Sequence, residues 1–368
     1  MAEVKVNLDK RSYSIYISPN CIAQMGRRLG HLKLTDKALV VSDDTVGALY
    51  GRQILAELRQ AGIAADLLCI APGEGSKSQD AAMTIYTRAI ELGMDRLSPF
   101  IALGGGVVGD VTGFAAATYM RGAPFIQVPT TLLAQVDSSV GGKVAINHPQ
   151  GKNLIGAFYQ PQAVFIDPEF LQTLPDRELS AGLAEVVKHG VIADSAFFTY
   201  LWEEHAAILA KDPAVLTTII ARSCQLKAEV VEQDEQDTGL RMILNFGHTI
   251  AHAVEAGLGF QHYNHGEAVA IGMHGAALLS HRLGLCRGEA VDRVRNCLQR
   301  FSLPTKVTVA GAAAGDFQRF ISRDKKNFGG LSRWVLMDEI GRVQVRSDVP
   351  DNLVRQVLQD LITVGQDK

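Results

Sequence analysis

The chain is poor in cysteine and carries no paired thiols. Its five cysteines (Cys21, Cys69, Cys224, Cys286, Cys297) are scattered and never spaced C-x-x-C, which argues against a disulfide framework and against a thiolate zinc site. Long apolar runs are missing too. His, Arg or Glu interrupts each apolar stretch well before the roughly 20 residues that a membrane span needs. Neither sign of charge dominates, with 36 Lys+Arg against 39 Asp+Glu and a net charge of −3. That balance gives no global pull toward nucleic acid or an anionic membrane, so basic residues that matter must act locally. Met1–Lys10 has charges every few residues and no apolar core, unlike a secretory signal. Internal repeats and low-complexity segments are lacking as well. The expectation is a protein of a reducing, aqueous compartment, the cytoplasm.

What is present is a globular composition, 47% hydrophobic with 35 glycines in 368 residues, long enough for about two or three domains. Period-two patterning in Val4–Leu8 and Tyr13–Ile17 around an Asp9–Ser12 turn predicts an opening hairpin. Short apolar runs follow at Ala38–Val41, Asp66–Ile70, Phe100–Leu103, Phe125–Val128 and Val164–Ile166. Helical periodicity fills most of the intervals, at Gln53–Gln60, Gln79–Leu92 and Val107–Tyr119. Such alternation predicts a parallel sheet covered on both faces. After Pro168 strands almost vanish, and helices are expected over Glu178–Val191, Ala196–Ala210 and Pro213–Val231, with a late hairpin at Ser332–Met337 and Arg342–Val345. The boundary falls near 170–178, giving an α/β domain 1–174 and a helical domain 175–368.

Gly104-Gly105-Gly106-Val107-Val108-Gly109 fits G-x-G-x-x-G between an apolar run and a helical one. Glycines there allow a tight turn and close approach of a pyrophosphate to free helix N–H groups. The motif lies about three strands into the sheet, while the acids suited to a ribose, Asp43 and Asp44, lie upstream. The topology therefore differs from the one in which the first βα turn carries the glycines. Pro72–Lys77 is a second glycine-bearing turn without the full P-loop string, and reads as structural. Thr130 and Thr131 can meet a phosphate or cap the next helix, capping being the commoner reason for threonine. Asp137–Lys143 and Gly151-Lys152-Asn153 place two lysines, an asparagine and an aspartate in flexible, glycine-bearing surroundings suited to a small anion; the alternative is a solvated loop.

In the second half His248 and His252 stand at i and i+4, on one face of one helix. Thr249 occupies the place where a zincin protease carries glutamate, which disfavours that class. His265 opens another helix, and Glu185 with Lys188 shares one face of an otherwise apolar helix. Histidine nitrogen with carboxylate oxygen suits zinc or a similar divalent ion, though spacing leaves open which histidines ligate. His262, His274 and His281 are read as structural.

The strings Gly104–Asp110 (GGGVVGD), Pro129–Lys143 (PTTLLAQVDSSVGGK), Gly151–Pro161 (GKNLIGAFYQP), Leu244–His248 (LNFGH) and His265–Met273 (HGEAVAIGM) resemble those of the 3-dehydroquinate synthase family, collinearly from about residue 40 to about 326. The resemblance implies a Rossmann-like α/β NAD-binding domain followed by an all-α domain. It also implies a homodimer converting 3-deoxy-D-arabino-heptulosonate 7-phosphate to 3-dehydroquinate and phosphate, in the shikimate route to chorismate and the aromatic amino acids. The family's reaction runs through transient oxidation by NAD, phosphate elimination, re-reduction, ring opening and intramolecular aldol closure, so NAD is returned each turn.

Carried over by motif, the ligands of one divalent metal (zinc or cobalt) fall on Glu185, His248 and His265. His252 falls on a catalytic, proton-transferring histidine, and Asp137, Lys143, Asn153 and Lys188 are further catalytic matches. NAD contacts match Asp43, Asp44, Glu74, Lys77, Gly105, Gly106, Asp110, Thr130, Thr131, Asp137, Lys143, Lys152, Phe170 and Thr173. Substrate contacts match Asp137, Lys143, Lys152, Asn153, Lys188, Lys227, Arg241, Asn245 and the Asp324-Lys325-Lys326 string. Arg121 matches an arginine that reaches the neighbouring subunit's site. Asp237 stands where the family usually has glutamate, one methylene shorter. Three other readings compete: a sister sugar-phosphate cyclase, a metal-dependent NAD alcohol or polyol dehydrogenase, and a non-catalytic small-molecule binder. A dehydrogenase would release NADH stoichiometrically, and a binder needs no proton-transferring His252.

Overall fold

The structure, a computed structural model, describes residues 2–32, 34–258, 262–309 and 333–364. Contacts divide the chain into two compact units, residues 1–175 with 213–236, and 176–212 with 237–368.

The first unit is built on a seven-stranded sheet in the order β1-β2-β9-β6-β5-β3-β4. Its strands are β1 (Ala2–Val6), β2 (Tyr13–Ile17), β3 (Lys37–Asp43), β4 (Ala64–Ile70), β5 (Phe100–Gly104), β6 (Phe125–Pro129) and β9 (Ala163–Ile166). The expected opening hairpin is present as antiparallel β1–β2, and every other pairing in this sheet is parallel. Alternate residues of β3 serve two cores. Leu39 and Val41 join Ile85 and Val111 on one face, and Ala38 and Val40 join Ile54 and Leu58 on the other. That double burial is why the strands read as continuous apolar runs.

Helices α2 (Asp44–Gln60), α3 (Gln79–Glu91) and α4 (Gly106–Thr118) follow β3, β4 and β5; a short α1 (Met25–Leu29) precedes them. Helix α2 begins well before the expected Gln53, because Asp43 accepts hydrogen bonds from Thr45 N and Val46 N and so caps it. The sequence 143–158 is not a loop. It forms an antiparallel hairpin of β7 (Lys143–His148) and β8 (Gly151–Phe158), seated on α4 through Gly113, where a Cβ would come within 2.4 Å of Val144 Cγ1.

The second unit is helical: α5 (Asp176–Ala193), α6 (Ser195–Glu203), α7 (His205–Leu209), α9 (His248–Gly257), α10 (His265–Arg282), α11 (Gly288–Arg300) and a last helix Asp351–Leu361. The expected helix 196–210 is two, broken between Glu203 and His205. The late hairpin is present as β10 (Trp334–Glu339) with β11 (Arg342–Arg346). Helix α8 (Pro213–Gln233) belongs by its contacts to the sheet unit, packing on β1 and β2. No helix among the described residues is long and apolar enough to cross a membrane.

Three helices of the second unit meet unusually closely. A Cβ on Gly266 of α10 would lie 2.1 Å from Ala181 O of α5, and one on Gly272 would lie 2.0 Å from Gly247 O at the start of α9. Both neighbours are backbone, which cannot swing aside as a side chain can. Gly272→Ala is therefore expected to destabilise the protein by about 1–3 kcal/mol through overpacking, measured as a lower midpoint in urea unfolding.

Candidate active site

In the first unit the chain leaves β3 toward β4 on one side and takes up β5 on the other, so the strand order reverses between β3 and β5. In open α/β sheets ligands bind in the crevice beyond the carboxyl ends of the strands at such a point. The residues there are Asp43 and Asp44 after β3, Gly104–Gly106 after β5 and Thr130–Thr131 after β6. The glycines leave a cradle that side chains would fill. A Cβ on Gly105 would stand 3.2 Å from Thr131 Cγ2, and one on Gly106 3.1 Å from Ser138 Oγ. Gly105 caps α4 without a side chain, leaving the first-turn N–H groups facing the turn. Thr131 accepts from Ala134 N at 3.2 Å and so has a capping role, whereas the buried Thr130 hydroxyl has no hydrogen-bond partner among the described residues.

Around this crevice the other candidates form two linked groups. Lys77, 6% exposed, is ion-paired with Asp110. Burial pushes the Asp110 carboxyl up to about 6, against the opposing pull of the Lys77 ammonium. Asn147, a residue sequence reasoning missed, donates to Glu74 Oε1 at 2.7 Å, accepts from Asn153 N at 2.9 Å and donates its own N–H to Lys77 O at 2.7 Å. It thereby ties the turn after β4 to the hairpin that carries Lys143, Lys152 and Asn153, all exposed. Asn153 holds a left-handed backbone, φ 58°, a conformation asparagine tolerates better than most residues.

Lys227 of α8 donates to Asp137 O and Asp137 Oδ1, both at 2.6 Å. Phe170 is buried, its ring 4.4 Å from that of Tyr50, whose hydroxyl meets Thr173 Oγ1 at 2.6 Å. Arg121 is exposed on a turn where Met120, Arg121 and Gly122 all have positive φ.

In the second unit Glu185 is wholly buried in α5, and among the described residues neither oxygen accepts a hydrogen bond of ordinary geometry. The Lys188 ammonium, one helical turn on, forms an ion pair with it. His248 Nε2 and His265 Nε2 each lie 3.7 Å from Glu185 Oε1. The three offer ligand atoms within 4.8 Å of one another, a donor set that fits a divalent ion such as zinc. The rings' other nitrogens face protein acceptors, His248 Nδ1 toward Phe246 O at 3.4 Å and His265 Nδ1 toward Glu255 Oε1 at 3.2 Å.

Spacing alone left His248 and His252 as equal candidates. His252 is exposed, its ring 5.7 Å from that of His248, and it is outside the cluster. Glu255 escaped notice although His248, His252 and Glu255 lie at i, i+4 and i+7 on α9, a stripe that the sequence displays. Arg241 is buried and Asn245 exposed on the turn Leu240–Asn245 that leads into α9. His274 Nδ1 meets Thr305 O at 2.8 Å and His281 Nδ1 meets Cys286 O at 3.0 Å, structural contacts as expected. The Asp324-Lys325-Lys326 string lies outside the described residues.

A mostly parallel sheet with a glycine cradle at its switch point, and a helical unit in which two half-buried histidines meet a buried carboxylate, define a class of proteins equipped for a nucleotide and a divalent cation. Sequence comparison gives the family. Residues 67–181 match the family model for the 3-dehydroquinate synthase N-terminal part, and residues 182–327 match that for its C-terminal part. A 3-dehydroquinate synthase of Symbiobacterium thermophilum is 48% identical over 97% of this chain and 99% of its own length. The chain belongs to the 3-dehydroquinate synthase family.

Among solved structures, a 2-epi-5-epi-valiolone synthase from Streptomyces hygroscopicus with NAD+ and Zn2+ bound is similar at TM-score 0.87 and 28% identity, over 96% of this chain and 98% of that one. A 2-deoxy-scyllo-inosose synthase complexed with carbaglucose-6-phosphate, NAD+ and Co2+ is similar at TM-score 0.87 and 26% identity, over 98% of this chain and 100% of that one.

Burial of Asp110 makes the protein's stability depend on pH. The folded protein holds a proton there that the unfolded chain has released, so the group's contribution is full below the ordinary carboxylate range and is lost as pH rises through about 6. The stability of the wild type relative to Asp110→Asn is expected to fall by about 1–3 kcal/mol between pH 4 and 7, as read from urea unfolding at a series of pH values.

Proposed function

We propose that this protein is a 3-dehydroquinate synthase that converts 3-deoxy-D-arabino-heptulosonate 7-phosphate to 3-dehydroquinate and phosphate, in the shikimate route to aromatic amino acids. The observation that carries the reading is the Glu185–His248–His265 cluster in a chain 48% identical to a synthase of that name over nearly its whole length. When bound, NAD supplies a reversible hydride acceptor and the divalent ion a Lewis acid for substrate hydroxyls. Glu185, His248 and His265 would hold the ion. Asp43, Asp44, Glu74, Lys77, Gly105, Gly106, Asp110, Thr130, Thr131, Asp137, Lys143, Lys152, Phe170 and Thr173 would hold the nucleotide. The domains would divide near 174, the nucleotide on the first part and the metal on the second.

The remaining residues bind and orient. A substrate with a phosphate and a carboxylate calls for Lys152, Lys188, Lys227, Arg241, Lys325 and Lys326, whose charge-assisted bonds would hold it in one pose, helped by Asn153 and Asn245. His252, exposed and one turn from a proposed ligand, would move protons through bound hydroxyls, with the substrate's own phosphate as a second base. Asp137 engages Lys227 through both its carboxylate and its carbonyl, which sets that ammonium's direction. Asp237 would serve where the family has glutamate. The enzyme would act as a homodimer, the exposed Arg121 serving the partner's site, and in the cytoplasm, where its five free cysteines stay reduced.

The neighbours of like fold include synthases named for other products, a valiolone and an inosose, so fold does not separate the sister cyclases, and the substrate must. Incubated with metal, catalytic NAD and the heptulosonate phosphate, the protein should release phosphate and form dehydroquinate with no net absorbance change at 340 nm. Stoichiometric NADH would instead mark a dehydrogenase. His248→Ala should lose bound metal and activity together, measured by metal analysis beside the phosphate assay; unchanged metal content contradicts the ligand assignment. Lys152→Ala should raise the substrate KM by about 10-fold or more, the scale of a lost charge-assisted bond, and weaken NAD binding less, because thirteen other residues share the nucleotide; an unchanged KM contradicts its placement with the substrate.

A further inference from the structure

His265 differs from His248 in what stands behind its ring. His248 Nδ1 faces a neutral backbone carbonyl, Phe246 O at 3.4 Å, whereas His265 Nδ1 faces a carboxylate, Glu255 Oε1 at 3.2 Å. The Glu255 side chain is about a tenth exposed and that of His265 rather more than a third, so the carboxylate is the sheltered partner of the pair.

The backbone of His265 is already fixed by other means. His265 is the first residue of α10, behind a reciprocal cap in which Glu267 N donates to Asn264 Oδ1 and Asn264 N donates to Glu267 Oε2, both at 2.9 Å. Arg177 then grips Glu267 through two parallel bonds of 2.7 Å. What this leaves open is the rotation and tautomer of the imidazole. A ring nitrogen that faces a carboxylate carries the proton, because a lone pair there would be repelled. With Nδ1 protonated toward Glu255, Nε2 presents its lone pair to the side of Glu185, 3.7 Å away.

We infer that Glu255 is a positioning residue for the divalent cation, setting the ring and tautomer of His265 and adding a negative charge behind that ligand. The inference rests on the proposed metal role of Glu185, His248 and His265. It extends that role to a residue behind the ring, since Nδ1 faces Glu255 while Nε2, the nitrogen that would hold the ion, faces the side of Glu185. Partners of this kind raise ligand basicity, and their loss typically costs 10–100-fold in metal affinity.

The test is zinc affinity of the metal-stripped full-length protein, measured by competition with a chromophoric chelator, together with the visible spectrum of the Co(II)-loaded form. Glu255→Ala removes both charge and acceptor and is expected to bind zinc about 10–100-fold more weakly, with an altered Co(II) spectrum. Glu255→Gln keeps the volume and an acceptor oxygen, and is expected to lose less, about 3–10-fold. Wild-type zinc affinity in Glu255→Ala would overturn the inference. Should that variant fail to fold by circular dichroism, Glu255→Gln carries the test, and a wild-type affinity and Co(II) spectrum there would overturn it. His248→Ala is the control that separates the two layers. If it binds zinc as well as the wild type does, the metal assignment itself falls, whereas loss in His248→Ala with no loss at Glu255 sinks only the role of Glu255.

Discussion

The proposed cation site depends on how closely three helices can approach. Glu185, His248 and His265 come from α5, α9 and α10, and each pair of neighbouring helices touches backbone to backbone at a glycine of α10. Gly266 lies against Ala181 of α5, and Gly272 against Gly247, the residue before His248. A methyl group at either place would push backbone away from backbone, and a shift of a few tenths of an ångström matters when three ligand atoms must lie within 4.8 Å of one another. Packing in this unit therefore serves geometry as much as stability. It also places the Glu185 carboxylate out of water with a lysine beside it, an arrangement that is costly unless the charge is used.

The sheet unit uses glycine differently. Gly105 and Gly106 leave room at the switch point for something other than protein, and the buried Thr130 hydroxyl waits there without a partner among the described residues. Asn147 joins the turn after β4 to the hairpin β7–β8, so the segment bearing Lys152 and Asn153 is held by the same amide that holds Glu74. The charged residues of the hairpin are exposed, but the strand beneath them is anchored through Gly113 and Val144.

Much of this was legible in the sequence because its physics is local. Continuous apolar runs such as Phe100–Leu103 read as strands buried on both faces, and two closely spaced β-rich runs marked the late hairpin. The two-histidine stripe marked α9. Features set by distant contacts were not legible. The hairpin at 143–158 was hidden by its glycines and by the exposed, mixed character of β8. The early start of α2 was hidden because Asp43 and Asp44 read as ligands of a ribose, while Asp43 caps the helix. Helix α8 looks like its helical neighbours in sequence, yet packs on the sheet unit. The proposed division of labour between His248 and His252 follows from Glu185, far away in the chain. No period or spacing encodes that, and the family resemblance supplied it.

The most direct test of this account is the metal environment itself. X-ray absorption at the zinc edge of the metal-loaded protein is expected to show a shell of nitrogen and oxygen with the outer-shell scattering of two imidazoles, and in His265→Ala either loss of the bound zinc or, where excess zinc fills the site, one imidazole fewer. A sulfur-containing shell, or a spectrum unchanged by that substitution, would contradict the site built by α5, α9 and α10.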